Sequence, residues 1–321
     1  MSEAPARELS LLTCVIPAFN ESHNLTTLLP ELIEVLASLS PRAEIIIVDD
    51  GSTDDTVAVC SRYVGQEIAV RLLCLSRNFG KEIALTAGLD HARGDAVVLL
   101  DADGQHPLSI LAEFVRLWRS GYDMVYGVRS DRAQEPLWKV YFTRVFYQMV
   151  SPRGGVRIIP DAGDFRLLDR LVVTALRALP ERTRFMKGLY AWVGFHSIGV
   201  AFQPLQRLSG KTRFSRQRLL GLAITGITAF SATPLRVWGG LGFGISLAAV
   251  IYGAYIAIRT VLFGADVPGW ATLAVAVMFL GGVQLLSIGV LGEYIGRIFD
   301  EVKQRPLYVV GERIGFDADP S

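Results

Sequence analysis

Through about residue 130, short apolar runs alternate with amphipathic stretches. Runs of strand length occupy residues 11–16, 44–48, 70–75, 96–100 and 123–126. Between them, residues 24–39, 54–64, 80–91 and 107–120 repeat apolar positions at helical spacing. This βαβα order predicts an α/β domain with a mostly parallel sheet covered by helices. The last third follows different physics. Residues 237–258 form 22 positions without a charge, and a second uncharged stretch covers 267–292. A hydrocarbon core needs about 20 such residues, so two transmembrane helices are expected; the competing reading is a buried hairpin of a soluble protein. The division that follows is a flexible start at 1–9, a sheet domain at 10–232, two spans within 233–296 and a tail at 297–321. Within the tail, the apolar piece 306–310 is expected as a strand, either on a local sheet edge or against a neighbouring subunit.

Charge placement gives the spans a direction. Arg207, Lys211, Arg213, Arg216, Arg218 and Arg236 precede the first, and Arg297, Lys303 and Arg305 follow the second. The connecting residues 263–266 carry Asp266 and no cation, although Arg259 lies close by. By the positive-inside tendency, the sheet domain and both termini face the cytoplasm. Segments 140–147 and 219–230 mix or concentrate apolar side chains in a way that suits either an interfacial helix or an ordinary core helix. Composition changes this picture little. Of 321 residues, 51% are hydrophobic and the net charge is +1, which gives no electrostatic basis for nucleic-acid binding. Cys14, Cys60 and Cys74 sit in or beside apolar runs without metal-like or paired spacing, and read as core thiols in a reducing compartment. The first eight residues contain no apolar signal core, so no secretory signal is expected.

The chemistry gathers where strands run out into loops. Pro17-Ala18-Phe19-Asn20-Glu21, Asp49-Asp50-Gly51-Ser52 and Asp101-Ala102-Asp103 each follow an apolar run. In a parallel sheet all three open on one edge, where open α/β sheets bind ligands. Two carboxylates one residue apart repel unless a cation lies between them. A divalent ion shared with a nucleotide diphosphate meets that need, because hard cations take oxygen ligands and keep phosphate among them. A solvated acidic loop is the plainer reading of the same tripeptide. His106 follows directly, but oxygen-rich hard-metal sites rarely use imidazole, so it is expected to be structural.

Taken in order, Val15-Ile16-Pro17-Ala18-Phe19-Asn20-Glu21, Val48-Asp49-Asp50-Gly51-Ser52-x-Asp54 and Asp101-Ala102-Asp103-x-Gln105 resemble the family 2 glycosyltransferases of GT-A (Rossmann-like) fold. Ser76-Arg77-Asn78-Phe79-Gly80-Lys81-Glu82, Gly163-Asp164-Phe165-Arg166-Leu167 and Arg182-Thr183-Arg184-Phe185-Met186-Lys187-Gly188 narrow the resemblance. They are similar to the polyprenyl-phosphate group, which includes bactoprenol glucosyltransferases and is related to dolichol-phosphate mannose synthases. The paired spans and Gly292-Glu293-Tyr294-Ile295-Gly296-Arg297 fit the same group. The resemblance implies transfer of a sugar, with inversion, from a nucleotide sugar to polyprenyl phosphate at the inner membrane, by a homo-oligomer. UDP-glucose is the first donor expected, with UDP-galactose, an N-acetylated UDP-sugar or GDP-mannose behind it.

It also implies roles. Pro17, Phe19, Glu21 and Asp50 fall to the base and ribose, with Asp101 and Ala102 beside them. Asp103 falls to Mg²⁺ or Mn²⁺, with Asp101 on metal or ribose and Gln105 completing the shell. Asp164 and Arg166 are the expected catalytic positions, with Asp164 either orienting the acceptor, taking its last proton, or bracing Arg166. The acceptor phosphate is largely ionised at neutral pH and hardly needs a general base. Arg129, Arg184, Lys187, Arg207 and Arg213 are the expected phosphate cations. Arg184 and Lys187 would stand one turn apart if helical. The family's usual residue at the Arg213 position is lysine, and arginine replaces a point charge with a planar fork. The same cations also suit a basic patch drawn to anionic lipid. Two other classes are weighed against this one. A processive polysaccharide synthase would carry a Gln-x-x-Arg-Trp segment, which this chain lacks. An inactive membrane scaffold would have no physical need for the Asp101, Asp103 and Gln105 set.

Overall fold

The computed structural model describes residues 7–130, 162–182, 184–205, 233–263 and 269–316. The βαβα pattern becomes β1 (Leu12–Ala18), α1 (Ser22–Leu39), β2 (Ala43–Asp49), α2 (Thr56–Ser61), β3 (Ala69–Leu75), α3 (Lys81–His91), β4 (Ala96–Leu99), α4 (Ile110–Arg119) and β5 (Met124–Arg129). Then follow β6 (Ala162–Asp169), α5 (Arg170–Ala178), α6 (Met186–Trp192) and β7 (Ser197–Phe202). The chain continues through two long helices, α7 (Thr233–Phe263) and α8 (Trp270–Val302), to a last strand, β8 (Val310–Ile314).

The eight strands make one sheet in the order β7-β5-β6-β4-β1-β2-β3-β8. Strands β1 to β4 run parallel to one another, and β7 runs parallel to β5. Only β6 and β8 oppose their neighbours. Sequence pattern explains the centre: every residue of β2 is buried, and β1 is buried except at Pro17, as expected of strands covered on both faces. One apolar layer packs Leu12, Cys14 and Ile16 against α1 and against Phe114 and Trp118 of α4. The other packs Val15, Ile46 and Val48 against α3, α5 and α6. Each fully buried Val, Leu or Ile contributes roughly 2 kcal/mol relative to exposure. All three cysteines are buried free thiols, and burial pushes the thiols up, Cys60 to about 12.

Two strands differ from the runs read in the sequence. β6, which none of those runs covers, begins at Ala162 and includes Gly163 and Asp164. The cause is pairing: β6 lies antiparallel between β4 and β5, with Leu99 opposite Arg166 and Val128 opposite Ala162. The C-terminal strand forms four residues later than the apolar piece 306–310, and it pairs with β3 of its own chain, Leu72 opposite Ile314. It is polar (Val-Gly-Glu-Arg-Ile) because it is an edge strand, and charge on an edge discourages further pairing. Residues beyond 297, expected as a tail, therefore close one edge of the sheet. The flexible start is likewise tied down at Arg7, whose guanidinium donates to Tyr122 O and pairs with Asp123 at 2.6 Å.

Within α7 and α8, residues Val237–Phe263 and Val275–Val302 are 27 and 28 residues long and apolar enough to cross a bilayer. Neither stretch is covered by the sheet domain, and large side chains such as Phe243, Val261, Met278 and Val302 stand exposed. Among the described residues nothing buries either stretch, which goes against a hairpin buried in a soluble core. Segments 140–147 and 219–230, with Arg207 and Arg213, lie outside the described residues.

Candidate active site

The carboxyl ends of β1, β2 and β4 meet on one edge, as the parallel order requires. Their loops are stitched to each other by backbone and short polar side chains. Asp50 N donates to Ala18 O at 2.8 Å, Asn20 N to Ser52 Oγ at 2.9 Å, and Thr53 N to Asn20 Oδ1 at 2.7 Å. Asn20 has a left-handed backbone (φ 56°), a conformation that Asn tolerates better than most residues. Gly51 (φ +72°) leaves no room for a side chain, since a Cβ there would lie 2.7 Å from the Arg77 carbonyl carbon. The loop after β2 therefore presses directly on the loop after β3.

Asp50 uses that proximity. Its buried carboxylate accepts from Phe79 N at 2.7 Å and Gly80 N at 2.9 Å, just ahead of α3. A negative group there satisfies amides that have no partner within the helix and complements its dipole. Burial raises its pKa, against the pull of the two amides. Asp50 was expected on the nucleotide; the structure has both its oxygens anchoring α3. Asp49 accepts from Ser52 N at 3.1 Å, holding its own turn. Pro17, Phe19 and Glu21 stand half-buried along the same edge, with Glu21 N donating to Thr56 Oγ1 and the Glu21 carboxylate accepting from Asn24 Nδ2.

The residues beyond β4 face β6. The register that sets Leu99 opposite Arg166 carries Asp101, two residues on, to the level of Asp164. Between these carboxylates lies the ammonium of Lys81, from the first turn of α3. Lys81 Nζ is 2.7 Å from Asp101 Oδ1 and 2.9 Å from Asp164 Oδ2. The Lys81 side chain is 44% exposed, Asp101 27% and Asp164 only 12%. Burial works to raise Asp164, yet Lys81 first, then Lys187 and Arg166, hold it at about 2. For Lys81 the balance is the same in mirror image: burial opposes its charge and the two carboxylates raise its pKa well above the ordinary value. The other oxygen of Asp164, Oδ1, is buried without a hydrogen-bond partner among the described residues.

Glu82, next to Lys81, accepts from Met186 N at 2.9 Å and so fixes the start of α6, which carries Lys187. Burial, with Asp164 adding to it, pushes Glu82 up to about 7 against the pull of that amide. Lys187 is half-buried on α6 and acts electrostatically on both Asp164 and Glu82. Arg184 is not its helical neighbour: it precedes α6, and its guanidinium donates to Leu176 O and Leu179 O at the end of α5. Arg166, expected among the reacting groups, lies beneath them. Successive residues of a strand face opposite sides, so Arg166 points the same way as Asp164 but deeper. Its guanidinium is buried, 4.1 Å from the Tyr190 ring centroid, and donates to Gly163 O at 2.9 Å. Arg129 ends β5, in register with Phe202 of β7.

The Asp101-to-His106 loop is held from below. Asp103 Oδ1 accepts from Gln105 N at 3.1 Å, Gln105 O accepts from Leu205 N at 2.9 Å, and Ala102 is buried. His106 stacks on Phe165 with centroids 4.5 Å apart, and burial lowers its pKa, as suits a structural ring. Among the described residues no three His, Cys, Asp or Glu side chains converge as an all-protein metal cage. The donors present are carboxylates, one of them occupied by Lys81. That set fits a hard divalent ion that takes one or two carboxylates and completes its shell with phosphate oxygens and water. Sequence reasoning assigned no role to Lys81 or Glu82, although both lie in the quoted Ser76-to-Glu82 motif. A charged pair at the head of a helix in such a loop was the available signal.

A doubly covered α/β sheet with acids converging at its carboxyl edge is a ligand-binding α/β architecture, and comparisons with known proteins give the family. Residues 13–174 match the model for Glycosyl transferase family 2, and residues 233–298 match the GtrB C-terminal hairpin. The chain belongs to glycosyl transferase family 2 and is a glycosyltransferase. An uncharacterized glycosyltransferase of Synechocystis sp. is 47% identical over 309 residues, 96% of this chain and 97% of that protein. A prophage bactoprenol glucosyl transferase homolog of Escherichia coli is 40% identical over 93% of this chain and 98% of its own length. The bactoprenol glucosyl transferase of Shigella phage SfII is 41% identical, covering 93% and 97%. Among solved structures, glucosyl-3-phosphoglycerate synthase from Mycobacterium tuberculosis aligns with a TM-score of 0.48 at 18% identity, covering 69% of this chain and 79% of that one.

Proposed function

We propose that the chain transfers a hexose, glucose first among the candidates, from a UDP-sugar to the phosphate of undecaprenyl phosphate on the cytoplasmic face of a bacterial inner membrane. The observation that carries this reading is end-to-end similarity to bactoprenol glucosyl transferases, hairpin included, at 40–41% identity. The exposed apolar hairpin supports a lipid acceptor, since it would hold the sheet domain where a polyprenyl phosphate presents its headgroup.

The reaction is a single displacement. A lipid phosphate oxygen forms a bond to the anomeric carbon while the bond from that carbon to UDP breaks, and the configuration inverts. The nucleophile arrives ionised, so the protein's task is positioning and charge control. Pro17, Phe19, Glu21 and the backbone around Asp50 and Ala102 line the nucleotide end. Asp103, with Asp101 and Gln105 beside it, would hold Mg²⁺ or Mn²⁺, which when bound neutralises charge developing on the departing diphosphate. Asp164 faces Asp101 across Lys81, and in this reading its carboxylate orients the acceptor or takes its last proton. Lys187, Arg129, Arg207 and Arg213 supply cations for the phosphates, while Arg184 and Arg166 brace the site from within.

The test is a donor panel. Purified protein receives undecaprenyl phosphate, Mg²⁺ and one labelled donor at a time: UDP-glucose, UDP-galactose, UDP-N-acetylglucosamine or GDP-mannose. Label from UDP-glucose moving into the organic phase is the expected result. Label from another donor alone would replace glucose, and none from any donor would contradict the reaction.

A further inference from the structure

Outside the roles already given, a dense cluster of charged contacts lies at the head of α3. Four neighbouring segments are held there within four residues. Asp50 binds Phe79 N and Gly80 N, Lys81 binds Asp101 and Asp164, and Glu82 binds Met186 N. Asp101 belongs to the loop after β4, Asp164 to the antiparallel β6, and Met186 to α6. Lys81 is the only one of these that touches both carboxylates flanking the proposed reaction path.

We propose that Lys81 is the positioning residue of the transfer, a single ammonium that fixes the donor-side carboxylate Asp101 relative to the acceptor-side carboxylate Asp164. This deepens the proposed function and rests on it. Three observations carry the assignment. Both bonds are short and share one nitrogen, so the two oxygens stand within two hydrogen-bond lengths of each other. Without a cation between them, two carboxylates this close would repel and separate. The pairing also tethers Oδ2 of Asp164, whereas Oδ1 is buried without a hydrogen-bond partner among the described residues, so the described hydrogen bonding of this carboxylate rests on Lys81. Lys81 takes one oxygen of Asp101 as well. Lys81 acts through these two carboxylates and is not itself a grip on the nucleotide.

The experiment uses the full-length protein in detergent with Lys81→Met, Lys81→Arg, Asp164→Asn and the double variant Lys81→Met/Asp164→Asn. Misplacement on the scale of an ångström costs about 100-fold in rate, so Lys81→Met should lower kcat about 100-fold while KM for the UDP-sugar and the affinity for Mn²⁺-UDP stay near wild type. Lys81→Arg, which keeps the charge, should recover part of kcat. In the double variant the losses should not multiply, because one residue acts through the other. A fall in Mn²⁺-UDP affinity matching the fall in kcat, or losses that multiply, would overturn the assignment.

A second arm needs no substrate. Lys81→Met leaves the Asp164 carboxylate without its partner, so the double variant should melt higher than Lys81→Met alone. Equal melting temperatures would show that the ammonium is not bound to Asp164 and would also overturn the assignment. The two readings fail separately. Absence of lipid transfer by wild type defeats the proposed function, whereas the melting and nucleotide-binding arms decide Lys81 whatever the acceptor is.

Discussion

At the scale of single residues, the site is a balance of charges that burial alone would not allow. Asp164 is held at about 2 although its surroundings exclude water, because Lys81, Lys187 and Arg166 outweigh desolvation. Glu82 receives too little of that help and stands at about 7. The sign of its effect on stability follows. The folded protein keeps a proton on Glu82 that the unfolded chain releases near the ordinary value of 4.5, so stability falls as pH rises from 4.5 toward 7. Asp164 has the opposite sign and loses its contribution only below the ordinary carboxylate range, outside that window. Glu82→Gln, which still accepts from Met186 N, should therefore flatten the decline; parallel melting curves for variant and wild type across this range would contradict it. Two activity predictions belong here. Asp103→Asn should remove about 3 kcal/mol of transition-state stabilisation, roughly 100-fold in metal-dependent turnover, and full activity of wild type in excess chelator would defeat the metal assignment. Asp164→Asn should abolish transfer while UDP binding measured by calorimetry persists; collapse of UDP affinity would place Asp164 in donor binding instead.

At the scale of elements, α3 organises the site and Asp50 organises α3. Its carboxylate replaces the missing partners of two amides, each such charged hydrogen bond contributing about 1.5 kcal/mol or more. Asp50→Ala should thus destabilise the protein by about 3 kcal/mol and loosen the segment that presents Lys81; an unchanged unfolding midpoint would contradict that anchoring role. What was legible in the chain was local. The buried strands announce themselves through unbroken apolar runs, and the acids after them follow from parallel order. The long-range partners were not legible. Lys81 meets residues 20 and 83 positions away, and nothing in helical spacing points to them. Arg184 reads as a site cation by its neighbours Phe185, Met186 and Lys187, yet the helix starts after it and its guanidinium turns to the end of α5. The last strand was displaced because its apolar prelude, 306–310, attracts attention, whereas the paired residues are polar as an edge requires.

At the scale of the molecule, a water-facing sheet is joined to a hairpin that water does not suit. The joint is visible at one point: Arg182 N donates to both oxygens of Glu301 near the end of α8, at 2.9 and 3.0 Å, just ahead of α6. The sequence then returns to the sheet through β8, so a hairpin that crosses a membrane would leave and re-enter on one side, and the proposed topology puts that side in the cytoplasm. Because the native cysteines are buried, a single Ala265→Cys substitution between the spans can report it. An impermeant maleimide should label this variant in spheroplasts without lysis; labelling only after lysis would reverse the topology.

The most direct test of lipid phosphate as the nucleophile compares two acceptors that differ only in that group. With the active donor and Mg²⁺ supplied, purified protein should glycosylate undecaprenyl phosphate and leave undecaprenol untouched, and mass spectrometry should place one hexose on the phosphate. Equal transfer to both lipids, or a sugar attached anywhere but the phosphate, would contradict the mechanism.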